Sequence, residues 1–167
     1  MHIIITRPIE DSLEIISKFK ILGHKVTHLP LLNINKISHE IINFKNYKAI
    51  IFTSTNAIKF LDTKKIPKDI LCFCVGEATE RKARSVGFLN VISAGGNVDA
   101  LKELIFRTHE KNDGRLIYFS SEFITIDLDK ILIASGYKVD RIINYSSTAE
   151  KSHFLRKTAN IFQIAIS

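Results

Sequence analysis

The sequence predicts an α/β protein with parallel sheets, and three observations support this class. Short apolar segments alternate with segments whose apolar residues recur at the helical period, from HIIIT near the N-terminus to KVDRIINY. Three of the helical segments end at a glycine, Gly23, Gly87 or Gly136, shortly before the next strand begins. The links are short, and strand–helix–strand units joined in this way form parallel sheets covered on both faces.

The individual elements follow from these two patterns. Strands are predicted where apolar residues are consecutive, at residues 2–6, 24–32, 47–52, 71–75, 89–93, 115–120 and 138–145. Helices are predicted where apolar residues recur every three or four positions, at residues 9–22, from 54 onward, and at 77–86, 98–110 and 128–135. Pro8 suits the first turn of the first helix. Two segments, PLLNINKIS from Pro30 and NYSSTAEKS from Asn144, instead resemble connections that cross between domains.

Composition limits the classes of function. The chain has 167 residues, of which 46% are hydrophobic, so it can bury a core. No apolar run approaches the length of a membrane span and the N-terminus has no cleavage site, so we expect a soluble, cytoplasmic protein without a membrane partner. The net charge of +7 favours a polyanionic partner. Because the lysines are scattered and not interleaved with aromatic residues, we do not expect nucleic acid. The charge indicates either a solvated surface or a basic cleft for a small, highly charged ligand.

The two cysteines, Cys72 and Cys74, lie two residues apart in the predicted strand LCFCV. Strand geometry places both on one face, too close in sequence for an ordinary disulfide bond. No cluster of histidine and carboxylate side chains accompanies them. We therefore expect buried, reduced thiols and no metal site.

The usual ligand signatures of α/β proteins are absent from the sequence. The first strand ends in TRP without a glycine-rich turn, which argues against dinucleotide sites, and there is no phosphate-binding lysine loop. Gly95 and Gly96 could cradle a phosphate, although a tight turn before a capping Asn97 explains them as well. The six histidines lie in unrelated segments and indicate no catalytic triad.

Polar residues, most of them hydroxyl-bearing, instead follow several strands, each time just before a helix. They are Thr53, Ser54, Thr55 and Asn56 after one strand, Gly76 and Thr79 after the next, and Ser120 and Ser121 after a third. The first N–H groups of a helix have no partner within it and carry the positive end of its dipole, so such loops can hold carboxylates or phosphates. Taken singly, each loop is also explained as an ordinary helix cap.

Six segments together resemble a known family. They are TRP at Thr6–Pro8, GHKVxxLPLL from Gly23, FTSTNAI from Phe52, VGEAT at Val75–Thr79, GGNVDAL from Gly95 and GYKVDRIINYSST from Gly136. In this order and at this spacing they resemble the uroporphyrinogen-III synthases, over nearly the whole chain. None of the motifs is specific alone, but the series is.

The resemblance implies a fold and a domain organisation. The family has two flavodoxin-like, parallel-sheet α/β domains joined by a two-stranded linker, with the second domain inserted into the first and the active site in the cleft between them. Carried over, residues 1–32 with 149–167 form the first domain, 38–143 the inserted domain, and 33–37 and 144–148 the linker strands. Because the chain ends at IFQIAIS, in the first returning strand, the first domain is expected to be incomplete. We expect a monomer, with association through that domain as the alternative.

The resemblance also implies a reaction, the cyclisation of the linear tetrapyrrole hydroxymethylbilane to uroporphyrinogen III in haem biosynthesis. This lyase reaction needs no cofactor or metal, loses water and inverts the last pyrrole ring, ring D. Tyr145 matches the family's cleft tyrosine and would assist the departing hydroxyl group; the alternative is a linker tyrosine packed between domains. The residues expected to bind the carboxylates of the substrate are Arg7, Thr53, Ser54, Asn56, Gly76, Thr79, Ser120 and Ser121.

One segment departs from the family pattern. Where the family has a loop with arginine and glycine after its fifth strand, this chain has YFSSEF, so we expect a cationic contact to be missing around Ser120. Two other functions stay open on the sequence alone. The chain could be a non-catalytic remnant that binds a tetrapyrrole or a protein partner, or an α/β module for another small polyanion.

Overall fold

Two sheets organise the structure, a computed structural model that describes residues 1–9 and 12–149. The strands are β1 (His2–Ile5), β2 (Lys25–His28), β3 (Leu32–Lys36), β4 (Tyr47–Phe52), β5 (Leu71–Cys74), β6 (Val91–Ser93), β7 (Arg115–Ser121) and β8 (Val139–Ala149). The helices are α1 (Leu13–Ile21), α2 (Thr55–Lys59), α3 (Glu77–Ser85), α4 (Val98–Thr108) and α5 (Leu128–Ala134). One sheet pairs β1 with β2, and the other has the order β3-β8-β7-β4-β5-β6.

The pairs β1–β2, β4–β5, β4–β7, β5–β6 and β7–β8 are all parallel, as the strand–helix alternation predicts. The strands therefore point the same way within each of these pairs. The carboxyl ends of β4, β5, β6, β7 and β8 consequently share one edge of the larger sheet.

Contacts between Cα atoms divide the chain into two units. One consists of Met1–Asn35 with the stretch that begins at Ser147, and the other is Lys36–Ser146. The first unit contains β1, α1 and β2, and the second contains β4 to β7 with helices α2 to α5. The boundaries between the units fall within β3 and β8.

The core of the second unit lies on both faces of its sheet. On one face, alternate strand residues such as Ile51, Phe73 and Leu116 pack with Leu101 of α4 and Leu132 of α5. The intervening strand residues, which point to the other face, are Ile50, Phe52, Cys72 and Cys74, and they are fully buried too. Burial on both faces explains why these strands are continuous apolar runs rather than alternating ones.

The three glycines that follow predicted helices have the conformation expected of helix ends. Their φ angles are +78° at Gly23, +98° at Gly87 and +93° at Gly136, and L side chains rarely adopt this left-handed region. The structure thereby confirms that these glycines terminate helices.

The first unit differs from the prediction at two boundaries. The helix α1 begins at Leu13 rather than near Ile9. Ser12 holds a turn before the helix, because its backbone N–H donates to Ile9 O and its hydroxyl group donates to Pro8 O at 2.9 Å. The strand predicted at residues 24–32 ends at His28, and β3 starts after Pro30, which has no N–H for strand pairing.

Cys72 and Cys74 are free, fully buried thiols, as predicted. Burial raises the pKa of both, that of Cys74 to about 12. Within the described residues, no three His, Cys, Asp or Glu side chains are grouped as a metal site requires. In the same part of the chain, no helix is long and apolar enough to cross a membrane.

The turn after β5 approaches the turn after β6 closely at two glycines. A Cβ atom at Gly76 would lie 3.2 Å from Gly96 Cα, a backbone atom that cannot swing away. Gly96 itself has φ +95°, and its N–H donates to Val75 O at 2.9 Å. The side chain of Asn97 then caps α4 by accepting from the Ala100 N–H at 2.8 Å. The tight-turn interpretation of Gly95 and Gly96 therefore has a structural basis.

The thiol groups of Cys72 and Cys74 should be unreactive toward alkylating reagents in the folded protein. Only the thiolate reacts readily, and a pKa near 12 leaves Cys74 almost wholly protonated at pH 8. We expect alkylation by iodoacetamide at pH 8 to be at least roughly 10³-fold slower in the native protein than in urea, where both thiols should react. Mass spectrometry of quenched time points measures this, and native labelling at the unfolded rate would contradict the assigned burial.

Substitution of Gly76 should test the contact between the two turns. Gly76→Ala forces its new methyl group against the Gly96 backbone, so we expect the free energy of unfolding to fall by about 1–3 kcal/mol. The matched control is Gly95→Ala, whose methyl group would meet only the Ala100 side chain at 3.7 Å and should change stability by less than about 0.5 kcal/mol. Urea denaturation followed by circular dichroism compares the two, and equal effects would refute the steric explanation.

Candidate functional site

The predicted site residues of the second unit lie at the carboxyl edge of its sheet. They are Thr53, Ser54 and Asn56 after β4, Gly76 and Thr79 after β5, Ser120 and Ser121 at the end of β7, and Tyr145 on β8. Parallel pairing brings these strand ends together, since neighbouring strands finish at the same edge. Arg7 belongs to the other unit.

The loop after β4 is organised by two hydroxyl groups. Ser54 caps α2, because its Oγ accepts from the Asn56 N–H at 3.2 Å. Thr53 Oγ1 is hydrogen-bonded to the Tyr118 hydroxyl at 3.1 Å. Burial raises the pKa of Tyr118, and the bond to Thr53 offsets part of that rise. Ser54 and Asn56 are half-buried, so both retain surface at this edge.

The turn after β5 brings backbone rather than side chains to the edge. Gly76 caps α3 with an extended backbone, and no side chain bonds to the cap. Thr79 lies in the first turn of α3 but is only 4% exposed, and its N–H donates to Gly76 O at 3.1 Å. In this conformation Gly76 is therefore the more accessible of the two predicted residues.

A cation reaches the end of β7, contrary to the expectation that none would. Arg141 of β8 donates from Nε to Ser120 Oγ at 2.8 Å and from Nη2 to Ser121 O at 2.9 Å. The expectation was wrong because it considered only the loop that follows β7. The charge comes from the adjacent strand, where Arg141 is paired with Tyr118.

Tyr145 lies just beyond an irregularity in the pairing of β7 with β8. Ser120 pairs with Ile143, but Ser121 pairs with Tyr145, so Asn144 is an extra residue and forms a β-bulge. The Glu122 N–H donates to Tyr145 O at 2.9 Å immediately after the bulge. The Tyr145 side chain is 7% exposed.

Asn144 is fully buried and ties the bulge to α2. Its Nδ2 donates to Ala57 O at 2.7 Å, and its backbone carbonyl accepts from the Ile37 N–H at 3.0 Å. Its Oδ1 has no hydrogen-bond partner among the described residues. A buried amide in this position fixes where the bulge occurs.

Sequence reasoning missed three residues of this edge: Tyr118, Arg141 and Asn144. In the sequence, Tyr118 looks like one more apolar residue of its strand. Its hydroxyl group contacts Thr53, but the two residues are far apart in sequence, so the pattern does not reveal this contact. Arg141 and Asn144 lie inside the GYKVDRIINYSST segment, where polar residues within a strand are the available signal. That signal shows neither the bulge nor the acceptors of the guanidinium group.

Arg7 follows β1 in the first unit and is exposed. Its carbonyl oxygen is hydrogen-bonded to His28 Nε2 at 2.8 Å, which holds the turn after β1 against the end of β2. Arg7 also borders an open groove of about 590 Å³ between β1 and α1, together with Thr6 and Lys18.

A second open cavity, of about 520 Å³, lies in the second unit between the end of β6 and α4. Gly95, Glu103 and Arg107 contribute to its walls, and none of the predicted site residues does. Arg107 Nε donates to Glu103 O at 3.3 Å, and Glu103 pairs with Lys102 at 3.6 Å. Its charged groups thus have partners within α4.

Comparison with known proteins connects this arrangement to a family. A family model described as uroporphyrinogen-III synthase HemD matches residues 14–164. No curated protein sequence gives a significant match.

Solved structures resemble the chain in fold. The uroporphyrinogen-III synthetase from Helicobacter pylori superposes with a TM-score of 0.63 at 20% identity, over 95% of this chain and 66% of that one. A mutant uroporphyrinogen III synthase from the extreme thermophile Thermus thermophilus gives a TM-score of 0.57 at 13% identity, over 98% of this chain and 69% of that one. The chain spans about two thirds of the length of each.

These likenesses confirm the predicted α/β fold class with parallel sheets. The match of the family model covers most of the sequence, including every site residue predicted in the second unit. The chain belongs to the uroporphyrinogen-III synthase family.

Proposed function

We propose that the chain catalyses the reaction expected of its family, in which hydroxymethylbilane cyclises to uroporphyrinogen III with loss of water and inversion of ring D. The observation that carries this proposal is the family match over residues 14–164. The grouping of hydroxyl and N–H donors at one sheet edge supports it, because the substrate is a polycarboxylate.

Substrate binding is assigned to this edge. Thr53, Ser54, Asn56, Gly76 and Ser121 would offer hydroxyl, amide and backbone donors to the acetate and propionate arms, and Thr79 would lie behind them in α3. Ser120 is fully buried and its hydroxyl group donates to Ser121 O at 3.1 Å, so it would support Ser121 rather than meet the substrate. Arg7, which belongs to the other unit, is proposed as a further carboxylate contact. Backbone donors at helix starts suit carboxylates, since the helix dipole favours negative charge there. The net charge of +7 would strengthen the attraction of such a ligand.

Tyr145 is assigned to the departing hydroxyl group. When hydroxymethylbilane loses water, the C–O bond breaks and the oxygen needs a proton or a hydrogen bond, which a phenol can donate. The resulting azafulvene-like cation is then attacked by the substituted α-carbon of the last pyrrole ring, which gives a spiro intermediate. The bond from that carbon to its original methylene bridge breaks, the bridge re-forms at the free α-carbon of the same ring, and loss of the proton there restores the pyrrole. Holding the two ends of the chain in that orientation is what separates type III from the type I isomer of the uncatalysed reaction.

The domain assignment belongs to the same proposal. Residues 1–32 with 149–167 would form one domain, 38–143 the inserted domain, and 33–37 and 144–148 the linker. A monomer working in the cytoplasm accords with this function. A non-catalytic remnant, the alternative interpretation of the sequence, has no observation that favours it over the synthase.

The isomer of the product tests the activity. Purified protein supplied with hydroxymethylbilane, generated by its synthase in the same vessel, should yield uroporphyrinogen III, which chromatography of the oxidised porphyrins separates from type I. We expect Tyr145→Phe to lower the rate of type III formation by at least about 10²-fold, since a proton donor is lost. Tyr47→Phe is the matched control, because Tyr47 bonds Asp140 at the opposite end of the sheet.

If the native chain yields only type I, as a blank does, the proposal is wrong. If type III forms and Tyr145→Phe performs like Tyr47→Phe, the activity stands but the role of Tyr145 does not.

A further inference from the structure

Arg141 joins two strands at the point where their regular pairing fails. The residue lies on β8, and its side-chain hydrogen bonds to the described residues all go to the end of β7. Nε donates to Ser120 Oγ at 2.8 Å, while Nη2 donates to Ser121 O at 2.9 Å and to Glu122 O at 3.3 Å. One guanidinium group thus holds the last two residues of the neighbouring strand and the residue that follows it.

The β-bulge explains why this end of β7 needs such support. Up to Ser120 the two strands pair in one register, and from Ser121 the register is shifted past Asn144. Beyond this shift, the two strands are joined by a hydrogen bond of 2.9 Å from the Glu122 N–H to Tyr145 O. A bulge weakens the local ladder, so a short strand end beyond it gains much from a side-chain contact.

The contacts form a closed loop through Tyr145. Arg141 holds Ser121 and Glu122, Glu122 holds the Tyr145 backbone, and the chain from Arg141 to Tyr145 completes the circuit. Asn144 fixes the same segment from its other side through Ala57. The position of Tyr145 therefore depends on where Arg141 keeps the end of β7.

The geometry requires arginine rather than a simple positive charge. The planar guanidinium group presents the N–H donors of Nε and Nη2 along one edge. These donors are placed to reach the Ser120 hydroxyl oxygen and the two carbonyl oxygens that follow it. The ammonium group of lysine has no such fixed arrangement of donors. The acceptors are neutral oxygens of the last two residues of β7 and of Glu122, which follows it. The charged groups at the start of α5 that face Arg141 are Asp127 and Lys130, which bond each other at 2.7 Å.

We propose that Arg141 is a positioning residue that clamps the end of β7 across the bulge and thereby sets the position of Tyr145. Its catalytic meaning rests on the proposed synthase function, while the clamp itself does not. Arg141 acts through Ser121 and Glu122 and needs no contact with the substrate. Its loss should therefore lower kcat for type III formation with little change in KM, and it should raise the share of type I product.

Hydrogen exchange tests the clamp independently of activity. We compare the native chain with Arg141→Met and Arg141→Lys by amide-resolved NMR. The Glu122 amide should exchange about 10-fold faster or more in both variants, because its partner strand is released. The Val75 amide, which bonds Phe52 O between β4 and β5 at 3.0 Å, is the internal reference and should not change.

Arg115→Met is the matched control variant. Arg115 also links β7 with β8, through Asp140 at 2.6 Å, but it does so at the opposite end of the strands. This variant also removes one positive charge and one cross-strand contact. The Glu122 amide should exchange at its native rate in it, and the ratio of type III to type I should be unchanged.

The exchange rates test the clamp, and kcat with the isomer ratio tests its link to Tyr145. Faster exchange confined to Glu122 and its neighbours supports the clamp, even if the native chain makes no type III and the proposed function fails. An unchanged Glu122 rate in both Arg141 variants overturns it, as does an equal acceleration at Val75, which would mean that Arg141 stabilises the whole sheet. A normal kcat and isomer ratio in Arg141→Met, with Glu122 exchange raised, would overturn the link to Tyr145.

Discussion

The parallel pairing of β4, β5, β7 and β8 is the constraint on which the site of the second unit depends. It brings to one edge the turns that follow these strands, although the residues come from distant parts of the sequence. Close packing on both faces keeps the register fixed, since a slip of one residue would turn each side chain to the opposite face and set it against neighbours that it does not fit. The contact between Gly76 and Gly96 then packs adjacent turns closely at this edge.

In its pairing with β7, β8 leaves this regular pattern at Asn144, beside the candidate site. Its position has a cost, since Asn144 Oδ1 is buried without a hydrogen-bond partner among the described residues. As a result of the bulge, Tyr145 pairs with β7 in a register that is shifted by one residue from that of Ile143 and the residues before it. Local departures of this kind are common beside functional groups, and here Asn144 and Arg141 hold the departure from its two sides.

Much of this fold could be predicted from the sequence, because apolar period and glycine position report directly on local structure. The predicted strand at 47–52 is β4 itself, and Gly23, Gly87 and Gly136 end helices as expected. The start of α1 at Leu13 was missed because the preceding turn is held by Ser12 contacts to carbonyl oxygens, which the apolar pattern does not encode. The partners of Arg141 and Asn144 were missed because they depend on strand register and on contacts between distant segments.

We propose that the tetrapyrrole binds at the carboxyl edge of the second unit's sheet. A titration of isotope-labelled protein with uroporphyrin III, the oxidised form of the proposed product, measures this most directly through amide chemical shifts. We expect the largest changes at Thr53, Gly76, Ser121 and Tyr145. Changes centred instead on the amino ends of the strands, around Tyr47, Arg115 and Val139, would contradict it.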